Sequence, residues 1–199
     1  MSKITVKNEE EKRAFLRTAD VYQTESDDDI SEYSETLLSI VATFDNAGCP
    51  EGFNACSMVG KSKREEVALQ LFAVIDPERE LIVDVGFKTR GCLAMAACAS
   101  VVCSMIKGQI FQKALSISPN DIKLALDGVP PNKTHTLYFA VEGVRALIGD
   151  FLLRSGSSLE ELDRRVTCDA MSVGCLISEH CSLRDIRTDI LFMSLDVDD

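Results

Sequence analysis

No stretch of this 199-residue chain reaches the roughly 18 consecutive apolar residues needed to span a bilayer, and its N-terminus, MSKITVKNEEEKRAF, lacks a hydrophobic signal core. A soluble, cytoplasmic protein with no membrane partner is expected. Positive charge is also short: 21 Lys and Arg stand against 32 Asp and Glu, a net charge of -11. Binding a phosphate backbone would work against that field, so nucleic acid is not an expected partner. Without an export signal, the eight cysteines read as reduced thiols or metal ligands rather than a disulfide framework. The chain also lacks an internal repeat, a Gly-rich phosphate loop and a serine-nucleophile elbow, and nothing in it points to an enzyme.

A hydrophobic content of 46% is enough for one sizeable core. Residues 3–22 carry a weak helical pattern, and the acidic run Glu25-Ser26-Asp27-Asp28-Asp29 after them has nothing apolar to bury. Residues 1–32 therefore read as an N-terminal extension. A helix is expected from Tyr33 to Phe44, then a loop, CPEGFNACSMVGKSKREE. The branched apolar segments 67–75 and 80–87, joined by Asp76-Pro77-Glu78-Arg79, form an antiparallel hairpin. Helical spacing from Cys92 to Lys107 stops at Gly108. Ser118-Pro119 opens a short helix to Leu126, and Pro130-Pro131 breaks the chain before a helix over 137–154. Ser157 with Glu160 makes a capping box for one more, and the tail to 199 has no clear pattern. A hairpin followed by helices, without strand-helix-strand alternation, predicts an α+β fold: a small antiparallel β-sheet covered on one face by several helices.

One thiol stands out. In GFKTRGCLAMAACAS (86–100), Cys92 lies where an extended segment gives way to a helix. There the helix dipole and unpaired N–H groups favour a thiolate, hence a nucleophile or metal ligand. Cys98 points about 240° around that helix from Cys92 and Cys103 lies about three turns away, so both are expected in the core.

Tyr33-Ser34-Glu35, Met58-Val59-Gly60, VIDPERELIVDVGFKTRGC (74–92), Ile106-Lys107-Gly108 and ISPNDIKLALDGVPPNKTH (117–135) stand in one order. In that order they resemble the U-type iron-sulfur cluster assembly scaffolds, the family of IscU and the NifU N-terminal domain, over residues 33–154, with 155–199 a C-terminal extension. The resemblance implies a non-catalytic scaffold. Such scaffolds take sulfur from a cysteine desulfurase, build a [2Fe-2S] cluster on three cysteines aided by an aspartate and a histidine, and pass it to acceptor proteins. Cys92 falls on the second of those cysteines and His135 on the histidine. The first cysteine and the aspartate of Cys-Gly-Asp-Val land on Arg64 and Glu66, and the third cysteine lands on Thr136.

A guanidinium or hydroxyl cannot replace a thiolate, so an unmodified three-cysteine site is excluded. The expected ligands for iron or a [2Fe-2S] cluster are Cys92, His135, Glu66 and, if the loop folds back, Cys56, with Cys49 a more distant substitute. Arg64 is expected to stabilise the Cys92 thiolate. The segment Val129-Pro130-Pro131 with Lys133 resembles the loop by which such scaffolds are recognised by an Hsp70-type chaperone, with Asn132 departing from the usual hydrophobic residue. Cys168, Cys175, His180 and Cys181 are too irregularly spaced for a zinc knuckle, although His180-Cys181-Ser182 echoes a His-Cys-Ser triplet of the family. The sequence reads as a divergent scaffold or an iron/sulfur carrier. The alternatives are a cluster-free paralogue acting as an interaction module, and a zinc-bound form.

Overall fold

The computed structural model describes residues 3–7, 13–17, 21, 30–43, 46–62, 65–167 and 179–195. Strands β1 (Lys3–Lys7) and β2 (Arg13–Arg17) precede helix α1 (Glu35–Thr43), after which β3 (Ala55–Lys61), β4 (Val67–Asp76) and β5 (Leu81–Thr89) follow in turn. Then come α2 (Leu93–Ile106), α3 (Phe111–Leu115), α4 (Pro119–Ala125), α5 (His135–Arg154), α6 (Leu159–Arg165) and α7 (Ser182–Leu195).

The central sheet is antiparallel in the order β3-β4-β5. On β4, Leu69, Leu71, Ala73 and Ile75 face the core, while Gln70, Phe72 and Val74 between them are half-exposed, the period-two pattern of a sheet covered on one face. The turn to β5 is set by Asp76, whose Oδ1 accepts the N–H groups of Glu78 at 2.9 Å and Arg79 at 3.3 Å. Helix α2 buries 12 of its 14 residues and α5 buries 15 of 20, so both are core elements rather than surface helices. Helix α5 lies against β3 and β4 because position 143 is glycine. A Cβ there would stand 3.1 Å from Leu71 and 3.2 Å from Leu69, and the Gly143 carbonyl accepts the Ser57 hydroxyl at 2.8 Å. The expected α+β arrangement is the observed one.

Three local expectations are corrected. Residues 3–7 and 13–17 form a β-hairpin, with Lys3 opposite Arg17, not a helix. The loop expected after α1 contains β3. That strand turns only Ala55, Ser57 and Val59 inward, a set too small and polar to leave a clear apolar signature. The last capping residue is Ser158, which accepts the Glu161 N–H, one position later than expected. The helix at 119 is as expected, with Ser118 and Asp121 forming the capping box and Pro119 in the first turn.

A strand at the edge of a sheet leaves N–H groups without partners unless something covers them. On β3, the Cys56 N–H donates to Asp150 Oδ2 at 3.0 Å, the Met58 N–H to Ser182 Oγ at 3.1 Å, and the Gly60 N–H to the His180 carbonyl at 2.8 Å. At the opposite edge, Val21 and Ala47 bridge to Thr89 and Phe87 of β5. Among the described residues no helix is long and apolar enough to cross a membrane.

Gly60 carries φ +70°, and a Cβ there would stand 2.5 Å from the Phe139 ring. Gly60→Ala adds left-handed backbone strain to a steric clash, for an expected loss of about 2 to 4 kcal/mol, measured by urea unfolding. A loss below 0.5 kcal/mol, the scale of an ordinary surface change, would show that Phe139 does not pack on this glycine.

Candidate functional site

At the end of the sheet where β3 and β5 finish lies a cavity of about 100 Å³, with Lys61, Ser62, Cys92, Lys133, His135 and Thr136 among its lining residues. Cys92 reaches it through a pinned turn. After β5, the Thr89 hydroxyl donates to the Ala68 carbonyl at 2.6 Å and accepts the Gly91 N–H at 3.0 Å. Gly91 is required because a Cβ there would stand 2.8 Å from Met95. Cys92 takes the N-cap position of α2 in an extended conformation, φ -78° and ψ 176°, and its side chain does not cap the helix. Its half-buried sulfur thus sits at the positive end of a buried helix.

The opposite wall comes from the start of α5. Pro131–Lys133 forms a 3-10 turn that leads into His135, the first residue of the helix. The imidazole meets the Phe139 ring edge to face at 5.6 Å. Desolvation, and then the Lys133 ammonium, lower the His135 pKa below its ordinary 6.5, so the ring is neutral at neutral pH, with a lone pair to accept a proton or bind a metal. Lys133 is only 7% exposed. Lys61 enters from β3, with its ammonium 3.2 Å from Glu179 and 3.7 Å from Glu65.

Thr136, buried beside His135, donates its hydroxyl proton to the Lys133 carbonyl at 2.8 Å. With that proton used, the Cys98 thiol 3.3 Å away must be the donor in its contact with Thr136. Burial pushes the Cys98 thiol up to about 12 and raises that of Cys103 as well. Both lie in the core, as expected from helical spacing.

The structure brings Cys92 and His135 together and leaves the other expected ligands elsewhere. Glu66 is exposed and lines a neighbouring recess with Lys88 and Arg90, because it is the last residue before β4 and turns to the far side of the strand. Cys56 is the second residue of β3 whereas Lys61 ends it, a separation of roughly 17 Å along a strand rising about 3.3 Å per residue. Its neighbours are Asp150 and Arg154, and burial raises its thiol pKa. Cys49 is exposed and likewise does not line the cavity. Arg64, Cys168 and Cys175 lie outside the described residues. Among the described residues no three His, Cys, Asp or Glu side chains are grouped to hold a metal ion, and two donors fall short of the three or four protein ligands usual for zinc. Within the chaperone-like segment, Pro131 and Asn132 are exposed, whereas Pro130 and Lys133 are buried.

Sequence reasoning missed the two lysines as a pair. Lys133 stands two residues before His135 and was legible as a neighbour, but Lys61 is brought in only by the course of β3.

The NifU-like N terminal domain model matches residues 32–158. The chain belongs to that family. It is 33% identical over 138 residues to the iron-sulfur cluster assembly scaffold protein IscU of Aquifex aeolicus, covering 69% of this chain and 86% of that one. It is 34% identical over 120 residues to the nitrogen fixation protein NifU of Azotobacter chroococcum, covering 60% of this chain but only 38% of that longer protein. A solved structure, the candidate SUF-system scaffold FiSufU of Fervidobacterium islandicum, aligns with a TM-score of 0.48 at 19% identity, over 59% of this chain and 97% of that one.

Two measurements check this geometry. With limiting iodoacetamide at pH 8, Cys92 should alkylate in the native protein while Cys98 and Cys103 do not, since a thiol titrating near 12 is ionised about once in ten thousand at that pH. Early labelling of Cys98 would place α2 wrongly. The His135 shift also has a signed consequence. Below 6.5 the unfolded chain takes up a proton that the folded chain resists, so stability should fall with pH from about 6.5 down to the lower folded value. His135→Gln should flatten that part of a urea-stability profile, and an unchanged slope would exclude His135 as its source.

Proposed function

We propose that this protein serves iron-sulfur cluster assembly as a sulfur-accepting member of the scaffold family, with Cys92 as the acceptor and a cysteine desulfurase as the donor. The observation that carries the reading is the composition of the cavity wall: one thiol, one neutral imidazole and two ammonium groups. Cysteine thiolates hold iron in such clusters by softness and charge, and a cavity with a single thiol beside two cations is poorly matched to that cargo. It is well matched to a persulfide, which needs one sulfur nucleophile and is itself an anion. The Cys92 thiolate attacks the terminal sulfur of the donor's persulfide. A new S–S bond forms on Cys92, the donor's S–S bond breaks, and the donor cysteine leaves as a thiolate, with no net oxidation. His135, neutral and beside the cavity, can take the Cys92 proton as attack begins, while the ammonium groups offset the charge of the bound persulfide.

Among the described residues only Cys92 and His135 offer donors at the cavity, so iron or a [2Fe-2S] cluster held there needs further ligands from outside them. Contact with an Hsp70-type chaperone through Val129, Pro130, Pro131 and Lys133 would need local unfolding, because Pro130 and Lys133 are buried. A cluster-free interaction module is the second reading, favoured by the lack of a third donor among the described residues.

The test is anaerobic incubation with a cysteine desulfurase and 35S-cysteine, with ferrous iron present or absent. Label should appear as sulfane sulfur on the Cys92 peptide, be lost in Cys92→Ser, and be slowed about 10²-fold or more in His135→Gln, the scale of general-base catalysis. Equal labelling of Cys92→Ser would remove the sulfur-acceptor role. Stable cluster absorption with iron, lost in the same variant, would restore a cluster-holding scaffold.

A further inference from the structure

The family match ends at residue 158, yet residues 179–182 return to the end of β3 that carries Lys61 into the cavity wall. The Gly60 N–H donates to the His180 carbonyl at 2.8 Å, Cys181 forms an antiparallel bridge with Val59, and Ser182 Oγ accepts the Met58 N–H at 3.1 Å. The segment thus behaves as a short added strand on β3, ending where β3 delivers Lys61 to the cavity. Glu179 then places its carboxylate 3.2 Å from the Lys61 ammonium. Glu65 approaches that ammonium at 3.7 Å, so this cation is tied by one carboxylate from its own loop and one from the tail.

The tail is anchored just beyond this point. Leu183 is 2% exposed and rests on Gly149 of α5, where a Cβ would come within 2.6 Å of it. Cys181 is 6% exposed against β3. Two buried side chains, a short run of hydrogen bonds and the ion pairs Lys61–Glu179 and, further along α7, Arg187–Asp163 attach the tail, and segments held mainly at the surface open locally without global unfolding.

We propose that residues 179–183 form a strap that braces the Lys61 wall of the cavity through β3 and the Glu179 ion pair, so that releasing the strap loosens that wall and makes the Cys92 sulfur more reactive. Release removes the Glu179 charge from Lys61 and frees the wall formed by Lys61 and Ser62. With Lys61 and Ser62 free to move, the approach to the half-buried Cys92 across the cavity widens. The strap gains a role in sulfur delivery through the proposed function, but its effect on the thiol is measured apart from it.

The test uses the full chain and two variants. Leu183→Asp detaches the anchor, and Glu179→Gln removes only the ion pair. Amide exchange at Met58 and Gly60 reads whether the strap is seated, exchange in β4 reads whether the fold is intact, and the rate of Cys92 alkylation reads the thiol. Leu183→Asp should speed exchange at Met58 and Gly60, leave β4 protected, and raise alkylation about tenfold. Glu179→Gln should leave exchange unchanged and raise alkylation about two- to threefold, the scale of an exposed ion pair. Faster exchange without faster alkylation in Leu183→Asp overturns the strap. If that variant loses protection in β4, Glu179→Gln decides alone, and an unchanged or slower alkylation rate overturns the proposal. A wild-type protein that accepts no sulfur from the desulfurase, but whose variants alkylate faster, retains the strap and loses the sulfur-acceptor reading.

Discussion

The close seating of α5 on the sheet is the constraint from which the site follows. Gly143 lets the helix backbone approach Leu69 and Leu71, and Gly60 leaves room for the Phe139 ring. Both contacts are made by positions that lack a Cβ, so neither tolerates a larger residue without moving the helix, and close-packed interiors relax only partly around such changes. Since α5 begins at His135, its depth also fixes His135, Thr136 and the preceding Lys133 opposite Cys92. Cys92 is fixed independently, by the Thr89 and Gly91 turn. Two rigid elements therefore meet at the cavity, and neither wall depends on a long loop for its position.

At two positions by the cavity the chain carries residues other than those the resemblance leads one to expect. Where the resemblance places a third cysteine, Thr136 turns its hydroxyl to the Lys133 carbonyl and accepts the Cys98 thiol. The substitution is locally complete: the buried hydroxyl has both a donor and an acceptor role filled, so it costs little stability. It also removes a soft anionic donor and leaves Cys98 protonated behind it. Where the resemblance places a glycine between cysteine and aspartate, Glu65 adopts φ +65°. A non-glycine residue in that region is strained by about 1 kcal/mol, a cost that this turn carries.

The fold was largely legible because the hairpin from 67 to 87 and the helices after 92 carry strong period-two and helical patterns. β3 was not, since small inward residues give no apolar signal. The β1–β2 hairpin was read as helical because a single five-residue strand with mixed polarity fits either period. For the site, Cys92 and His135 were legible from local sequence: one opens a helix after a glycine and the other follows a Pro-Pro break. Glu66 rests on linear correspondence across a loop and Cys56 on that loop folding back, and sequence spacing does not say to which side of a strand a loop residue turns. The Cys98 to Thr136 contact links residues 38 apart, which no periodicity within either helix reports.

The two segments outside the family match converge on the same end of the sheet. Val21 bridges to Thr89, whose hydroxyl fixes the turn before Cys92, while His180 binds Gly60, the residue before Lys61. Edge strands need cover wherever they are exposed, and that need alone would be met by pairing anywhere along β3 or β5. Here the pairing falls at the last residues of both strands, beside the two walls of the cavity. The sheet edges and the site therefore share their hydrogen bonds: what protects the strands from pairing with other chains also holds the cavity walls in register, at Cys92 through the Thr89 turn and at Lys61 through Gly60.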